Sequence, residues 1–194
     1  MPNYPERGDV AKANAMLDEA GFKKNSDGVR LNGVLDIIPY GEDWRRAGEY
    51  LKQVMGDIGI NLELRYEDVP TWLKRVYHRY DFQMNVNYFY QLPDPVLGVH
   101  RHYGTDQIRK GTHFVNSSRY SNPELDTLLS AGMTTPDATK RAEIYLDIQK
   151  ILANDMPVVN LFELEFLVVY NTKLKGAYDS AMGAYASFGD AYLD

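Results

Sequence analysis

The 194 residues include 44% hydrophobic and 25% charged side chains, a globular composition with enough chain to bury a real core. A net charge of −6, with no Lys/Arg block, argues against a nucleic-acid partner. Without cysteine there is no disulfide framework, thiol nucleophile or Cys-based metal site, and no apolar run reaches membrane-spanning length.

Residues 1–20 lack a signal-peptide hydrophobic region. Val10 to Ala20 reads as a helix with Ala13, Leu17 and Ala20 on one face, and Gly21-Phe22 has the form of a C-cap. Asp27-Gly28 marks a turn, and Val34 to Ile38 reads as a strand closed by Pro39. Glu42 to Ile58 is the clearest helix, its stripe formed by Trp44, Ala47, Leu51, Val54, Met55 and Ile58. Gly59 ends it, and Ile60, Leu62 and Leu64 alternate with polar residues as a second strand. Strand, helix and strand in this order favour a parallel crossover. Asp68 to Arg79 is expected as a helix capped by Asp68, with Trp72, Leu73 and Val76 inward.

Phe82, Met84, Val86 and Tyr88 alternate with Gln83, Asn85 and Asn87, which predicts a third strand over seven residues. It runs into Tyr88, Phe89, Tyr90 and Gln91, and Leu92-Pro-Asp-Pro95 forces a turn. These aromatics fit the lip of a ligand cleft and the plug of a core edge equally well. Fifteen tyrosines, each an apolar body with a polar tip, suit a wet binding surface. Val96 to Tyr120 has little periodicity, and unpatterned stretches this long are often functional.

Ser121-Asn-Pro-Glu124 predicts a helix start with a capping box, and Leu125, Leu128 and Leu129 give that helix its buried side. Thr135-Pro136-Asp137 starts another, running to about Asn154 with Ala138, Ala142, Tyr145, Ile148 and Leu152 inward. Residues 158–162 and 166–170 read as two strands, and the tail from Lys175 is weakly patterned. Alternating helices and strands set the class as α/β.

No phosphate-binding glycine loop, nucleophile elbow or zinc-protease helix is present, and no carboxylate pair is marked out for acid/base work, so no catalytic residue is assigned. His100 and His102 alternate along what reads as an extended segment, with His113 further on, and could share a divalent metal; a pair of surface histidines fits the same residues. Arg45 and Arg46 open the Trp44 helix, where one guanidinium could clamp a carboxylate.

Taken in order, these pieces resemble the C-terminal lobe of the family 5 solute-binding proteins of ABC importers, the dipeptide- and oligopeptide-binding group. The resemblance rests on Ala13 to Phe22, on Ala47 to Ile60, and on Trp72 followed by Asp81-Phe82. It continues through Asp94-Pro95, Asn116 with Tyr120-Ser-Asn-Pro-Glu-Leu-Asp126, Lys140-Arg141 to Pro157, and Val169 to Gly176. Each motif is weak alone, and their ordered succession is specific. The resemblance implies a periplasmic-binding-protein-like type II lobe with a mixed central sheet flanked by helices. Residues 1–175 would form that lobe, and residues 176–194 a tail returning toward a missing N-terminal lobe. Met1-Pro2 running into a domain-internal helix is expected to be a start placed inside a longer protein.

The function so implied is non-enzymatic capture of a peptide, opine or oligosaccharide for a membrane permease, in a periplasmic or lipid-anchored extracellular protein, with no cofactor. One lobe presents half a site, so weak binding and self-association through its uncovered surface are expected, with the tail either mobile or packed on a neighbouring copy. The resemblance places Tyr88, Gln91 and Arg45 at family ligand positions, and with the neighbouring Phe89 and Tyr90 they are expected to face the ligand. Gln91 stands where peptide binders have an Asp that pairs with the peptide amine, which favours a neutral polyhydroxylated or amphipathic solute. A nickel- or metal-chelate binder using His100 or His102 is the second reading, and a free-standing hydrolase the third.

Overall fold

Val34, Leu35, Ile37 and Ile38 make the most apolar run of the N-terminal half, and they form the middle of a sheet. The computed structural model describes residues 8–90, 92–165, 167–177 and 187–194. Strands β1 (Leu31–Ile37), β2 (Ile60–Tyr66) and β3 (Met84–Val86) lie parallel in the order β2-β1-β3. Leu31 pairs with Ile60 and Ile37 with Tyr66 on one side; Leu35 pairs with Met84 and Ile37 with Val86 on the other.

The crossover from β1 to β2 is helix α2 (Glu42–Asp57), with Trp44 and Gly48 buried. Gly48 lets the helix approach β1: a Cβ there would sit 2.6 Å from Cδ1 of Ile37. Asp36, one residue earlier on the strand, points to the opposite face, where it meets Arg75 at 3.7 Å. Arg75 lies on the helix formed by α3 (Val69–Leu73) and its wider π-helical continuation, Lys74–Arg79. Helices therefore cover both faces, as a buried parallel sheet requires. The core joins Leu35, Ile37, Ile38, Leu62, Trp72, Val76, Tyr77 and Val86.

Helix α1 (Val10–Glu19) ends as the Gly21-Phe22 pair predicts. Phe22 N–H bonds Leu17 O at 2.9 Å and Gly21 N–H bonds Asp18 O at 3.1 Å, the two bonds of a Schellman cap. Asp68 caps α3 by accepting from Thr71 N at 2.8 Å.

The third strand is shorter than its alternation suggests, because side chains take over its ends. Gln83 Oε1 accepts from Val34 N at 2.7 Å, where a ladder bond would form. Asn87 Oδ1 accepts from Tyr88 N at 2.9 Å while its amide donates to Tyr77 Oη at 2.6 Å. Such local bonds compete with strand pairing.

The chain divides into two compact units, Met1–Phe89 with Thr105–Tyr120, and Tyr90–Gly104 with Ser121–Asp194. In the second, residues 96–103 are helical: a π-helical turn, Val96–His100, leads into α4 (Arg101–Tyr103). Helix α5 (Pro123–Thr134) is capped by Asn122, which accepts from Glu124 N at 3.0 Å and Leu125 N at 3.2 Å. With the cap at Asn122 and not Ser121, Glu124 stands one position too early for the expected capping box. Leu125 and Leu129 are buried.

Helix α6 (Ala138–Asp155) starts at its cap Asp137 and buries Ile148, but Ala138 and Ala142 are exposed. Its inner stripe is narrower than periodicity alone suggests, because Tyr145 sits against Gly132 of α5 and sets the facing edge. Residues 159–162 and 167–170 are exposed and Val158 is half-buried; none of them forms a strand, and Phe166 lies outside the described residues. A strand needs a ladder, and no described strand pairs with them. The antiparallel component is a separate pair, β4 (Leu174–Lys175) and β5 (Tyr192–Leu193). The end of the tail, expected to be mobile or packed on a neighbouring copy, pairs with its own chain, with Asp194 N–H bonded to Lys173 O at 2.8 Å. Tyr178 and Tyr185 lie outside the described residues.

Candidate functional site

In open parallel sheets, ligands bind beyond the carboxyl ends of the strands, where strand order reverses. Here the reversal falls between β1 and β3, because the chain reaches β2 on one side of β1 and β3 on the other. Aromatic side chains gather at those strand ends. Tyr88, just past β3, packs its ring 5.7 Å edge-on from Tyr40 beyond β1 and 5.4 Å from Trp44 in the first turn of α2. Pro39 and Gly41 position this cluster by ending β1 and opening α2.

Beside it lies a cavity of about 210 Å³ lined by Ile37, Ile38, Pro39, Gly41, Arg45, Tyr66 and Glu67. The Arg45 guanidinium lies over the Tyr66 ring, 4.5 Å from its centre. Tyr66 Oη donates to Glu49 Oε1 at 3.1 Å; burial first, and that bond second, raise its pKa. The wall combines flat apolar faces, one exposed cation and one carboxylate.

Behind the wall runs a charge network that sequence reasoning missed. Asp36 is 1% exposed on β1, 3.3 Å from Arg65 and 3.7 Å from Arg75. Its Oδ2 has no hydrogen-bond partner among the described residues. Burial raises its pKa, against the pull of Arg65 and Arg75. Arg75 also holds Glu67 and Asp81, each at 2.6 Å. The hydrogen bond from Arg75 lowers the Glu67 pKa, so Glu67 is charged at neutral pH. The only sequence signal was an Asp inside an apolar strand, facing Arg65 in register.

Of the sequence-predicted site residues, Tyr88 and Arg45 fall at this end of the first unit. Phe89 is half-buried; Tyr90, 40% exposed, belongs to the second unit. Gln91 lies outside the described residues. Tyr40, Trp44 and Tyr66 were not singled out, although aromatics next to strand-ending Pro39 and Glu67 carried the signal. His100 and His102 do not lie on an extended segment. Two positions apart on a helix they are about 200° apart around its axis, so they cannot share a metal as an alternating pair. His102 is 5% exposed, and burial lowers its pKa to about 4. No cluster of three metal-ligating side chains occurs among the described residues.

In the second unit, Asp94 is an anchor. Arg141 Nη2 meets its Oδ1 at 2.6 Å and Val96 N donates to the same oxygen at 2.9 Å. The Arg141 bond holds Asp94 below the ordinary carboxylate pKa. The pair borders an open cavity of about 500 Å³ with Val96, Leu97, Met133 and Pro136.

Residues 1–109 match the family described as bacterial extracellular solute-binding proteins, family 5 Middle. The chain belongs to that family. It is 32% identical over 135 residues to the probable D,D-dipeptide-binding periplasmic protein of Escherichia coli, covering 69% of this chain and 25% of that protein. Among solved structures, a mannohexaose-bound periplasmic oligopeptide-binding protein of Thermotoga maritima is 27% identical with a TM-score of 0.67, covering 77% of this chain and 30% of the other. NikZ of Campylobacter jejuni, solved with Ni(L-His), superimposes at a TM-score of 0.76 over 87% of this chain and 35% of that one, at 22% identity. The fold is therefore α/β, of the type II periplasmic-binding-protein kind. The chain spans about a third or less of the curated relatives it matches, 34% of Protein XP55 of Streptomyces lividans and 25% of the Escherichia coli protein.

Proposed function

We propose that the chain is the C-terminal lobe, residues 1–175 with a following tail, of a periplasmic or lipid-anchored receptor. The receptor captures a solute and delivers it to the membrane permease of an ABC importer, without catalysis. Family membership supports this reading. The observation that carries the site is the cluster of Tyr40, Trp44 and Tyr88 at the strand-order reversal, with Arg45 beside it. Aromatic faces stack on the C–H surfaces of sugars or on flat apolar groups, and a guanidinium over a ring presents donors to a hydroxyl or carboxylate. With Gln91 replacing the amine-pairing Asp of the family's peptide binders, the favoured solute is an oligosaccharide or an opine. A partner lobe would close over this edge and exclude water.

Titration of the full-length protein with mannooligosaccharides, opines and di- to pentapeptides tests this, read by tryptophan fluorescence. Trp44, 9% exposed, packs against Tyr88 in the cluster, so a ligand settling on the cluster changes its surroundings. The expected result is a saturable change with a sugar or opine that Trp44→Phe diminishes. Binding confined to peptides would overturn the solute class, and turnover of any of these compounds would overturn the receptor reading.

A further inference from the structure

We propose that His78 and His113 form a binding site for one divalent first-row cation of the imidazole-preferring kind, with Zn²⁺ as its representative. The two residues are 35 apart in sequence, yet their Nε2 atoms lie 2.9 Å apart, with ring centres at 5.1 Å and planes at 48°. At this distance one ring N–H donates to the nitrogen of the other, and the same two nitrogens are potential metal ligands.

The approach is imposed by the surrounding structure. His78 lies in the π-helical turn Lys74–Arg79, an element often found where function requires a displaced side chain. His113 lies in the segment after Thr105, which is fastened to that turn by the bond from Gly111 N–H to Tyr77 O at 2.8 Å. Gly111 has φ +89, a conformation that disfavours residues with a Cβ. Buried Tyr77 then packs its ring against both His113 at 5.9 Å and Phe114 at 5.7 Å. The two rings are thus brought together before any ion arrives, so binding has to order their aim but not their approach.

Tetrahedral coordination at Zn–N distances of about 2.0–2.1 Å places two nitrogens about 3.3 Å apart. The pair must open by about 0.4 Å, and both rings, whose Nε2 atoms now point nearly at each other, must tilt so that their lone pairs converge on the ion. Zinc binding requires both Nε2 lone pairs. The ring that now donates must therefore carry its proton on Nδ1 instead, with no net proton released. His78 is exposed, which leaves an entry path and open coordination positions for water.

The test is calorimetric titration of the protein with ZnCl₂ at pH 7.5, in a buffer that does not bind metal, on wild type, His78→Gln, His113→Gln and the pair His100→Gln/His102→Gln. Histidine Cε1–Hε1 NMR signals are followed in parallel. The expected result is one saturable site, lost in either His78→Gln or His113→Gln and retained in the His100/His102 variant. Two of the four histidine signals should shift on zinc addition. Circular dichroism of each variant separates loss of the site from loss of the fold. If a folded His78→Gln or His113→Gln variant keeps wild-type zinc binding, or the wild type shows no saturable binding, the proposal is overturned and the contact is a hydrogen bond alone.

Discussion

Arg75 holds Asp36, Glu67 and Asp81 together on the face of the sheet opposite α2. Removing it leaves the buried Asp36 with Arg65 as its one remaining arginine among the described residues. It also takes the guanidinium from the half-buried Glu67, and a weakly compensated charge is expensive in a dry environment. Arg75→Ala is expected to destabilise the protein by about 3 kcal/mol in urea unfolding, and Arg75→Lys by less, since a point charge keeps part of the attraction but not the fork. His102 gives the molecule a pH response of defined sign. It is buried in its neutral form, with a folded pKa of about 4 against 6.5 for the free side chain. The unfolded chain therefore takes up a proton first. Stability is unaffected by this residue above pH 6.5 and falls as the pH drops from 6.5 to about 4, by roughly 3 kcal/mol in total. His102→Gln should flatten that part of a plot of unfolding free energy against pH. An unchanged slope would show that His102 does not set it.

Among the elements, the junction between α2 and β2 depends on Gly59. It has φ +82, and a Cβ there would stand 2.8 Å from the Gly28 carbonyl oxygen and 3.0 Å from Cγ of Arg30. Arg30 crosses this point to bind Ile58 O at 2.9 Å and Asn14 Oδ1 at 2.9 Å, tying α1 to the end of α2. Gly59→Ala combines backbone strain with a backbone clash, so a loss of about 2 kcal/mol is expected by thermal or urea unfolding. Gly56→Ala, where a Cβ meets nothing within 4 Å, should be neutral or mildly stabilising. The faces of α2 and α3, the caps of α1 and α3 and the two longer strands were legible from the sequence because each is set by neighbours a few residues away. The length of β3 was not, because Gln83 and Asn87 replace its ladder bonds through contacts with Val34 and Tyr77. The histidine segment was misread as extended because a short helical stretch around Gly98 has no hydrophobic period to announce it.

At the scale of the whole molecule, the segment after α6 is the least covered surface among the described residues. Leu167 is 92% and Val169 96% exposed, with Val159, Leu161, Phe162 and Tyr170 also open to solvent. Exposed apolar residues of high β-propensity template association with other chains. The 194-residue chain alone is expected to self-associate in analytical ultracentrifugation, and Leu167→Lys with Val169→Lys to shift it toward monomer. A monodisperse wild-type chain would contradict this. Since the chain spans about a third of its relatives, it is also expected to bind solute weakly on its own, in the millimolar range if at all. Sub-micromolar calorimetric binding by this chain would mean that it carries a complete site.

The sequence by itself determined the α/β class, the succession of caps and amphipathic faces, and the family, because these depend on local periodicity and ordered motifs. It also pointed to Tyr88 and Arg45. Only the tertiary structure decided that Tyr40 and Trp44 join Tyr88, that Asp36 is buried between two arginines, and that His78 meets His113 instead of His100 meeting His102. These are contacts between residues distant in sequence. A pattern along one strand or helix shows which face a side chain takes, but parallel pairing and loop anchoring set what it touches.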